Sequence, residues 1–330
     1  MFLRIAAAQN AEQSGIKGVK TLLTPTSYHS FTVKERTSLM DINYELYKVF
    51  YYVATTLSFS EASKHLFISQ SAVSQSIKVL EKKLAQTLFV RSTKKVQLTP
   101  EGELLFRHIE PAMNLIKQGE NQLLEANTLN GGQLRIGASD TIFRYYLVPY
   151  LSRFHKEYPH VHIKVTNQTS IQCAGLLEQG QVDFVVINYP NSALSGTHTP
   201  RIINEFHDVF VASREFFALE GRMLSLRQLQ EYPILMLDRK STTSEFLHSL
   251  FYRSHLDLVP EIELSSNDLL IELARIGLGI AFVPDFCIPE DDKNLFVLQL
   301  KEELPARHMV VAYNESLPIS QAARQFMDIL

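Results

Sequence analysis

The stretch Phe59–Glu81, FSEASKHLFISQSAVSQSIKVLE, constrains this chain more than any other. It reads as two short helices joined by a tight turn at Phe67 and Ile68. Ser60 is placed to cap the first helix and Ser69 the second, which is expected over about 70–83. On that second helix Val73, Ile77 and Leu80 recur at the spacing of one buried face. Gln70, Ser71, Ser74, Gln75 and Lys78 are left pointing outward. A solvated helix usually alternates Glu and Lys, whereas this face carries amides and hydroxyls with one cation a turn later. Such a face suits a helix in the DNA major groove, where Gln bonds adenine edges, Ser either base, and Lys neutralises a phosphate. An ordinary αα-hairpin has the same outline, so the flanking segments decide.

Before it, NYELYKVFYYVAT (43–55) reads as a helix with Leu46, Phe50 and Val53 on one face, completing a three-helix core. After it, LFVRSTKKVQL (88–98) alternates around a polar turn and predicts a β-hairpin. Arg91, Lys94 and Lys95 cluster at that turn, so the hairpin reads as a wing with cations for phosphates or the minor groove. Thr99-Pro100-Glu101 then opens another helix, with Thr as cap, Pro at the first position and Glu complementing the dipole. It is expected to reach about Ala126, with Leu105, Ile109, Met113, Ile116 and Leu123 as an apolar stripe and Pro111 as a kink or an early stop. A long amphipathic helix between two domains pairs naturally with a second copy of itself, so the stripe predicts a dimer.

Charge divides the chain. Asp41–Lys95 carries eight cations against four anions in a protein whose net charge is −3, so a basic head sits on an acidic body. The two cysteines, Cys173 and Cys287, are far apart in apolar contexts and read as buried free thiols of a reducing compartment. No run approaches a membrane span, and MFLRIAAAQN turns polar too quickly for a secretory signal, so a cytoplasmic protein is expected. Residues 1–39 lack a sustained period and read as a disordered arm, or as a stretch upstream of a start at Met40. Their basic residues (Arg4, Lys17, Lys20, Lys34 and Arg36) are within the repertoire of phosphate contacts.

Met40 to about Thr128 resembles the winged helix-turn-helix and linker helix of the LysR-type transcriptional regulators. The resemblance is carried by the SQ-x-AVS-x-x-I-x-x-LE run and by the LF-x-R…V-x-LT-x-x-G run at the family's relative spacing. Ser71 departs from it, because many members carry proline there. The second half continues the likeness. LRIGA (134–138), 161–166 and VDFVVIN (182–188) read as strands, with helices over 139–157 and 171–178 between them. The pattern restarts at 206–212, followed by strands at 234–237, 261–264 and 280–283, and by helices at 226–230, 242–252 and 267–276. A further strand over 308–313 and a helix over 319–329 close the chain. IELARIGLGIAFVPDF looks like the family's second-lobe signature.

The fold expected is therefore an N-terminal all-α/winged helix-turn-helix DNA-binding domain (40–98) and a long linker helix (99–129). These precede a C-terminal α/β two-lobe domain (130–330) resembling type II periplasmic-binding proteins. Lobe I is expected over about 133–190 plus a return segment near the C-terminus, and lobe II over about 206–315, with crossings near Asn188 and Phe206. The resemblance implies double-stranded DNA as partner, a dimer or tetramer on paired half-sites, DNA bending, RNA polymerase as a further partner, and a small effector between the lobes.

Ligands of open α/β sheets sit beyond the carboxyl ends of strands, at helix N-termini. That rule selects Ser139 and Thr141, Thr169 and Ser170, Thr242 in the run 240–244, and Asn267 after Ser265 and Ser266. Each hydroxyl also has a plain capping role; their convergence from two lobes is what points to a site for a carboxylate or another small anion, with Lys240 as a candidate cation. No G-x-S-x-G, H-E-x-x-H, P-loop or G-x-G-x-x-G is present, so no catalytic residue, metal or cofactor is expected. His160 and His162 share a strand face without a carboxylate or cysteine cluster, and Gly277-Leu278-Gly279 follows a helix rather than preceding one. A solute-binding protein would account only for 133–330, and an enzyme on the two-lobe fold would need residues this sequence lacks.

Overall fold

A computed structural model describes residues 42–91, 95–127, 132–194, 198, 200–289 and 292–330. The arm over 1–39 and the wing tip at 92–94 lie outside the described residues.

The first domain is built on three helices, α1 (Tyr44–Thr56), α2 (Phe59–Leu66) and α3 (Gln70–Leu84), and a hairpin of β1 (Phe89–Arg91) and β2 (Val96–Leu98). Phe50, Val53, Phe59, Ala62, Val73, Ile77, Leu80 and Phe89 form its core. The cap of α2 is Ser58, whose Oγ accepts from Glu61 N at 3.2 Å, and not Ser60, which lies inside the first turn. Ser58 has extended backbone, as an N-cap requires, so the helix begins one residue beyond it.

The linker α4 runs unbroken over Pro100–Asn127, so Pro111 does not shorten it. Thr99 Oγ1 accepts from Gly102 N at 2.9 Å. The apolar stripe splits in two. Leu105 and Ile109 pack on the first domain's core, whereas Ile116 and Leu123 are 55% and 70% exposed. The helix is thus not the isolated rod that the sequence suggests. Its polar side also meets the next domain, where Asn114 Nδ2 donates to Gln179 O at 2.7 Å and Gln181 Nε2 donates to Glu110 Oε1 at 3.2 Å. Burial beside this contact raises the Glu110 carboxyl, with Gln181 opposing it.

The remaining chain forms two sheets of five strands. The first orders β4-β3-β5-β14-β6, from β3 (Gln133–Ala138), β4 (His162–Asn167), β5 (Phe184–Tyr189), β6 (Arg201–Phe206) and β14 (Arg307–Ala312). The second orders β10-β9-β11-β7-β12, from β7 (Asp208–Ser213), β9 (Ile234–Leu237), β10 (Ile262–Leu264), β11 (Ile280–Pro284) and β12 (Leu295–Val297). Each has three parallel strands followed by antiparallel ones. A short pair, β8 (Met223–Leu224) and β13 (Gln299–Leu300), completes the second lobe.

Three helices of the first lobe are α5 (Asp140–Ile142, Phe143–Leu147 as a π turn, Val148–Glu157), α6 (Ser170–Glu178) and the terminal α10 (Gln321–Asp328). The second lobe holds α7 (Leu226–Leu229), α8 (Thr242–Arg253) and α9 (Asn267–Arg275).

Two expectations change. The segment after β5 does not cross at Asn188, because β6 returns to pair with β14 in the first sheet; the chain crosses near Phe206, between it and Asp208, and again between β13 and β14. β6 is absent from the sequence reading, since RIINEF has weak alternation and five of its six residues remain at least partly exposed. β14 also belongs to the first sheet, so the second lobe ends before 307 and not near 315.

Candidate functional site

On α3, Ser69 Oγ accepts from Ala72 N at 3.2 Å and fixes the first turn. Val73, Ile77 and Leu80 are fully buried, which forces the opposite face outward. Gln70, Ser71, Gln75 and Lys78 are exposed there, and Ser74 is half-buried at the edge. Ser71 Oγ lies 2.8 Å from Ser69 Oγ, so part of its hydrogen-bonding capacity is spent at the helix start. The wing is set by Glu81, the last residue of the SQ-x-AVS-x-x-I-x-x-LE run, to which the sequence alone assigns no role. Its Oε1 accepts from Leu88 N at 2.9 Å and Phe89 N at 3.3 Å, tying the end of α3 to the start of β1. Arg91 ends β1, Lys95 is exposed at the start of the return, and Lys94 lies outside the described residues.

Gly102 closes this unit. A Cβ there would meet Leu88 O at 2.2 Å, so only glycine lets α4 lie against the wing's first strand. The glycine of the LT-x-x-G run therefore has a steric cause in this chain.

Residues of both lobes line a cleft of about 410 Å³. All six effector candidates from the sequence (Ser139, Thr141, Thr169, Ser170, Thr242 and Asn267) line it, and so does Lys240. Each hydroxyl oxygen already accepts a protein hydrogen bond. Ser139 Oγ accepts from Ile142 N at 3.3 Å, Thr169 Oγ1 from Gln172 N at 3.3 Å, and Ser170 Oγ from Asn188 N at 3.1 Å. Thr141 Oγ1 accepts from Asn267 Nδ2 at 2.9 Å, across the cleft, and Thr242 Oγ1 from Arg307 Nη2 at 3.0 Å. The Thr169 backbone N–H donates to Gln172 Oε1 at 3.3 Å, completing a capping box, and the Thr169 hydroxyl donates to the same oxygen at 3.1 Å. A hydroxyl whose oxygen is occupied still has its O–H to give, so Ser139, Thr141, Ser170 and Thr242 present donors to whatever fills the cleft.

A second bridge joins the lobes beside it. Arg144 Nη1 pairs with Asp268 Oδ2 at 3.0 Å, and the Tyr145 hydroxyl donates to Asp268 Oδ1 at 2.5 Å. Burial, then the hydrogen bond to Asp268, push the Tyr145 phenol well above its ordinary value, so it remains a donor.

These two geometries can be set beside known proteins. The family model for the LysR substrate binding domain matches residues 127–330, and that for the bacterial regulatory helix-turn-helix protein of the lysR family matches residues 44–103. The chain belongs to the LysR family. It is 26% identical over 286 residues to the HTH-type transcriptional activator CmpR of Synechocystis, covering 86% of this chain and 93% of that protein. Full-length CbnR complexed with its target DNA superposes with a TM-score of 0.61 at 16% identity, covering 87% of this chain and 98% of that one. The regulatory domain of Synechocystis CcmR in complex with 2-PG superposes with a TM-score of 0.55 at 20% identity, covering 61% of this chain and 95% of that one.

This LysR-family chain is accordingly a transcriptional regulator with a helix-turn-helix DNA-binding domain and an effector-binding domain, and its matched relatives are named as regulators rather than enzymes. Both of its cysteines are buried, and burial pushes the Cys173 thiol up to about 12 and Cys287 higher still, which leaves neither as a thiolate near neutral pH. No helix among the described residues is long and apolar enough to cross a membrane, and they hold no group of three or more side chains that could bind a metal.

Sequence reasoning also missed cleft residues. Asn188, Asp140 and Asp238 line it. Asn188 was legible in part, since it ends the third strand of the first lobe, where the same strand-end rule applies.

Proposed function

We propose that this regulator reads operator half-sites with Gln70, Ser71, Ser74 and Gln75, holds the backbone with Lys78, Arg91, Lys94 and Lys95, and responds to a small anion in the interlobe cleft. One observation carries the DNA assignment: the outward face of α3 is uncharged and polar along its first turns, with Lys78 beyond them and the wing tied to the same helix by Glu81. Amide and hydroxyl groups suit base edges, and cations at the margins suit phosphates.

The effector contacts are Ser139, Thr141, Thr169, Ser170, Thr242 and Asn267, with Lys240 supplying positive charge. Support comes from O–H donors and helix N-termini converging on one space, which favours a negatively charged group. The CcmR domain, solved with 2-PG, gives a related example of small-molecule binding. No cofactor is needed for this task.

Two copies pair through the exposed apolar part of α4, at Ile116 and Leu123, so that two recognition helices reach paired half-sites. Assembly to a tetramer, bending of DNA and contact with RNA polymerase are further steps of the same reading, which places the protein in the cytoplasm. Effector binding changes the lobe angle, and α4 transmits it, since Asn114 and Glu110 touch lobe I while Leu105 and Ile109 pack on the DNA-binding core.

The test is a gel shift with DNA from upstream of the protein's own gene, scrambled competitor and a salt series. A shift that resists scrambled DNA and weakens steeply with salt supports the reading. No shift at low salt overturns it.

A further inference from the structure

Ligand pockets are usually walled by apolar and aromatic side chains with a few polar groups. The interlobe cleft is the reverse. Among its described lining residues Leu237 is the one hydrocarbon side chain, and no aromatic ring contributes. Such a wall offers an alkyl chain or an aromatic ring few hydrocarbon side chains to pack on, and covering its unpaired amide oxygens with hydrocarbon would leave them unpaired.

The unpaired atoms specify more. Asn188 and Asn267 both line the cleft and are 8% and 5% exposed. Their amide oxygens, Asn188 Oδ1 and Asn267 Oδ1, are buried and meet no donor. A buried acceptor without a donor is costly, so an occupant that offers hydrogens here gains directly. A carboxylate or phosphate alone offers none; it accepts only. O–H and N–H groups both offer hydrogens, and hydroxyls do so without setting a second cation beside Lys240, so hydroxyls are the donors that fit, in addition to the charge.

The charge itself is limited. Lys240 is balanced by two lining carboxylates, Asp140 and Asp238, and no arginine lines the cleft among the described residues. Attraction for an anion comes from the N-termini of α6, α8 and α9 and from O–H donors, which match one negative charge better than two. Asp140 and Asp238 also add acceptors for hydroxyls.

Resting on the reading of this cleft as the effector site, we infer that its ligand class is the polyhydroxylated monocarboxylate, a sugar acid or a similarly hydroxylated acid of about six carbons. A cavity of about 410 Å³ has room for such a molecule.

The test is calorimetric titration of the full chain with four probes: gluconate, hexanoate (equal length and charge, no hydroxyls), sorbitol (hydroxyls, no charge) and glucose 6-phosphate (hydroxyls, phosphate charge). Gluconate is expected to bind at least about tenfold more tightly than each of the others. Asn188→Ala should lower gluconate affinity by about tenfold or more and leave hexanoate unchanged. Hexanoate binding as tightly as gluconate overturns the hydroxyl requirement, while the cleft still takes an anion and the effector reading stands. Glucose 6-phosphate binding tightest overturns the single-charge requirement. No binding by any probe overturns the class; the effector reading is then judged separately, by whether a metabolite panel alters the protein's melting or its gel shift.

Discussion

Arg307 Nη1 lies 2.6 Å from Asp208 Oδ2, and each residue starts the first strand after a crossing between the lobes, β14 of the first sheet and β7 of the second. Both side chains are buried, and the guanidinium also donates to Thr242 and Thr243 and stacks 5.4 Å from Phe206 and 5.1 Å from Phe246. Burial pushes the Asp208 carboxyl up and Arg307 pulls it back. The pair fastens the hinge, and through Thr242 it reaches the cleft wall.

Asp208→Ala removes the only carboxylate facing that guanidinium among the described ion pairs and should cost about 3–5 kcal/mol of stability, because an uncompensated charge remains buried. Replacing both residues, Asp208→Leu with Arg307→Met, should cost much less than the single change. Urea denaturation of these two variants and the parent checks this. Equal losses in single and double variants would show that packing, not charge, sets the cost.

Gln75→Ala should lower affinity for the specific operator by about 1–3 kcal/mol and leave nonspecific binding nearly intact, because Gln75 is exposed in the middle of the outward face of α3. Titration against operator and scrambled DNA decides it. An equal loss on both would move Gln75 to a phosphate role.

Lys78→Ala should weaken binding to every DNA and reduce the slope of log affinity against log salt by about one unit. Affinities measured across a salt series check it, and an unchanged slope would take Lys78 off the backbone.

Gly102→Ala places a methyl group 2.2 Å from Leu88 O, with Leu98 also at 3.0 Å. Backbone must shift to accommodate it, so a loss of about 1–3 kcal/mol is expected. The wing moves with that shift, and DNA affinity should fall as well. A melting temperature equal to the parent's would mean that α4 and the wing separate easily.

Leu123→Glu, at a side chain 70% exposed on α4, should shift sedimentation from dimer toward monomer and leave the secondary-structure signal unchanged. A dimer that persists would move the interface elsewhere.

The sequence by itself determined the DNA-reading helix, its cap at Ser69, the wing, the linker helix and the alternation of strands and helices. These follow from local causes: the 3.6 period of α3, a hydroxyl before a helix, a Pro at a first helical position. It also selected the six cleft residues, because helix starts after strand ends are local signals. Only the tertiary structure decided which strand belongs to which sheet. β6 and β14 join the first lobe through pairings between residues about a hundred positions apart, such as Arg307 with Phe206, and no local period encodes them. The same holds for Glu81 on the wing, for Gly102 against Leu88 and for Asp208 beside Arg307. Each is a contact between segments whose own patterns are indifferent to it, so the residue types were visible and their partners were not.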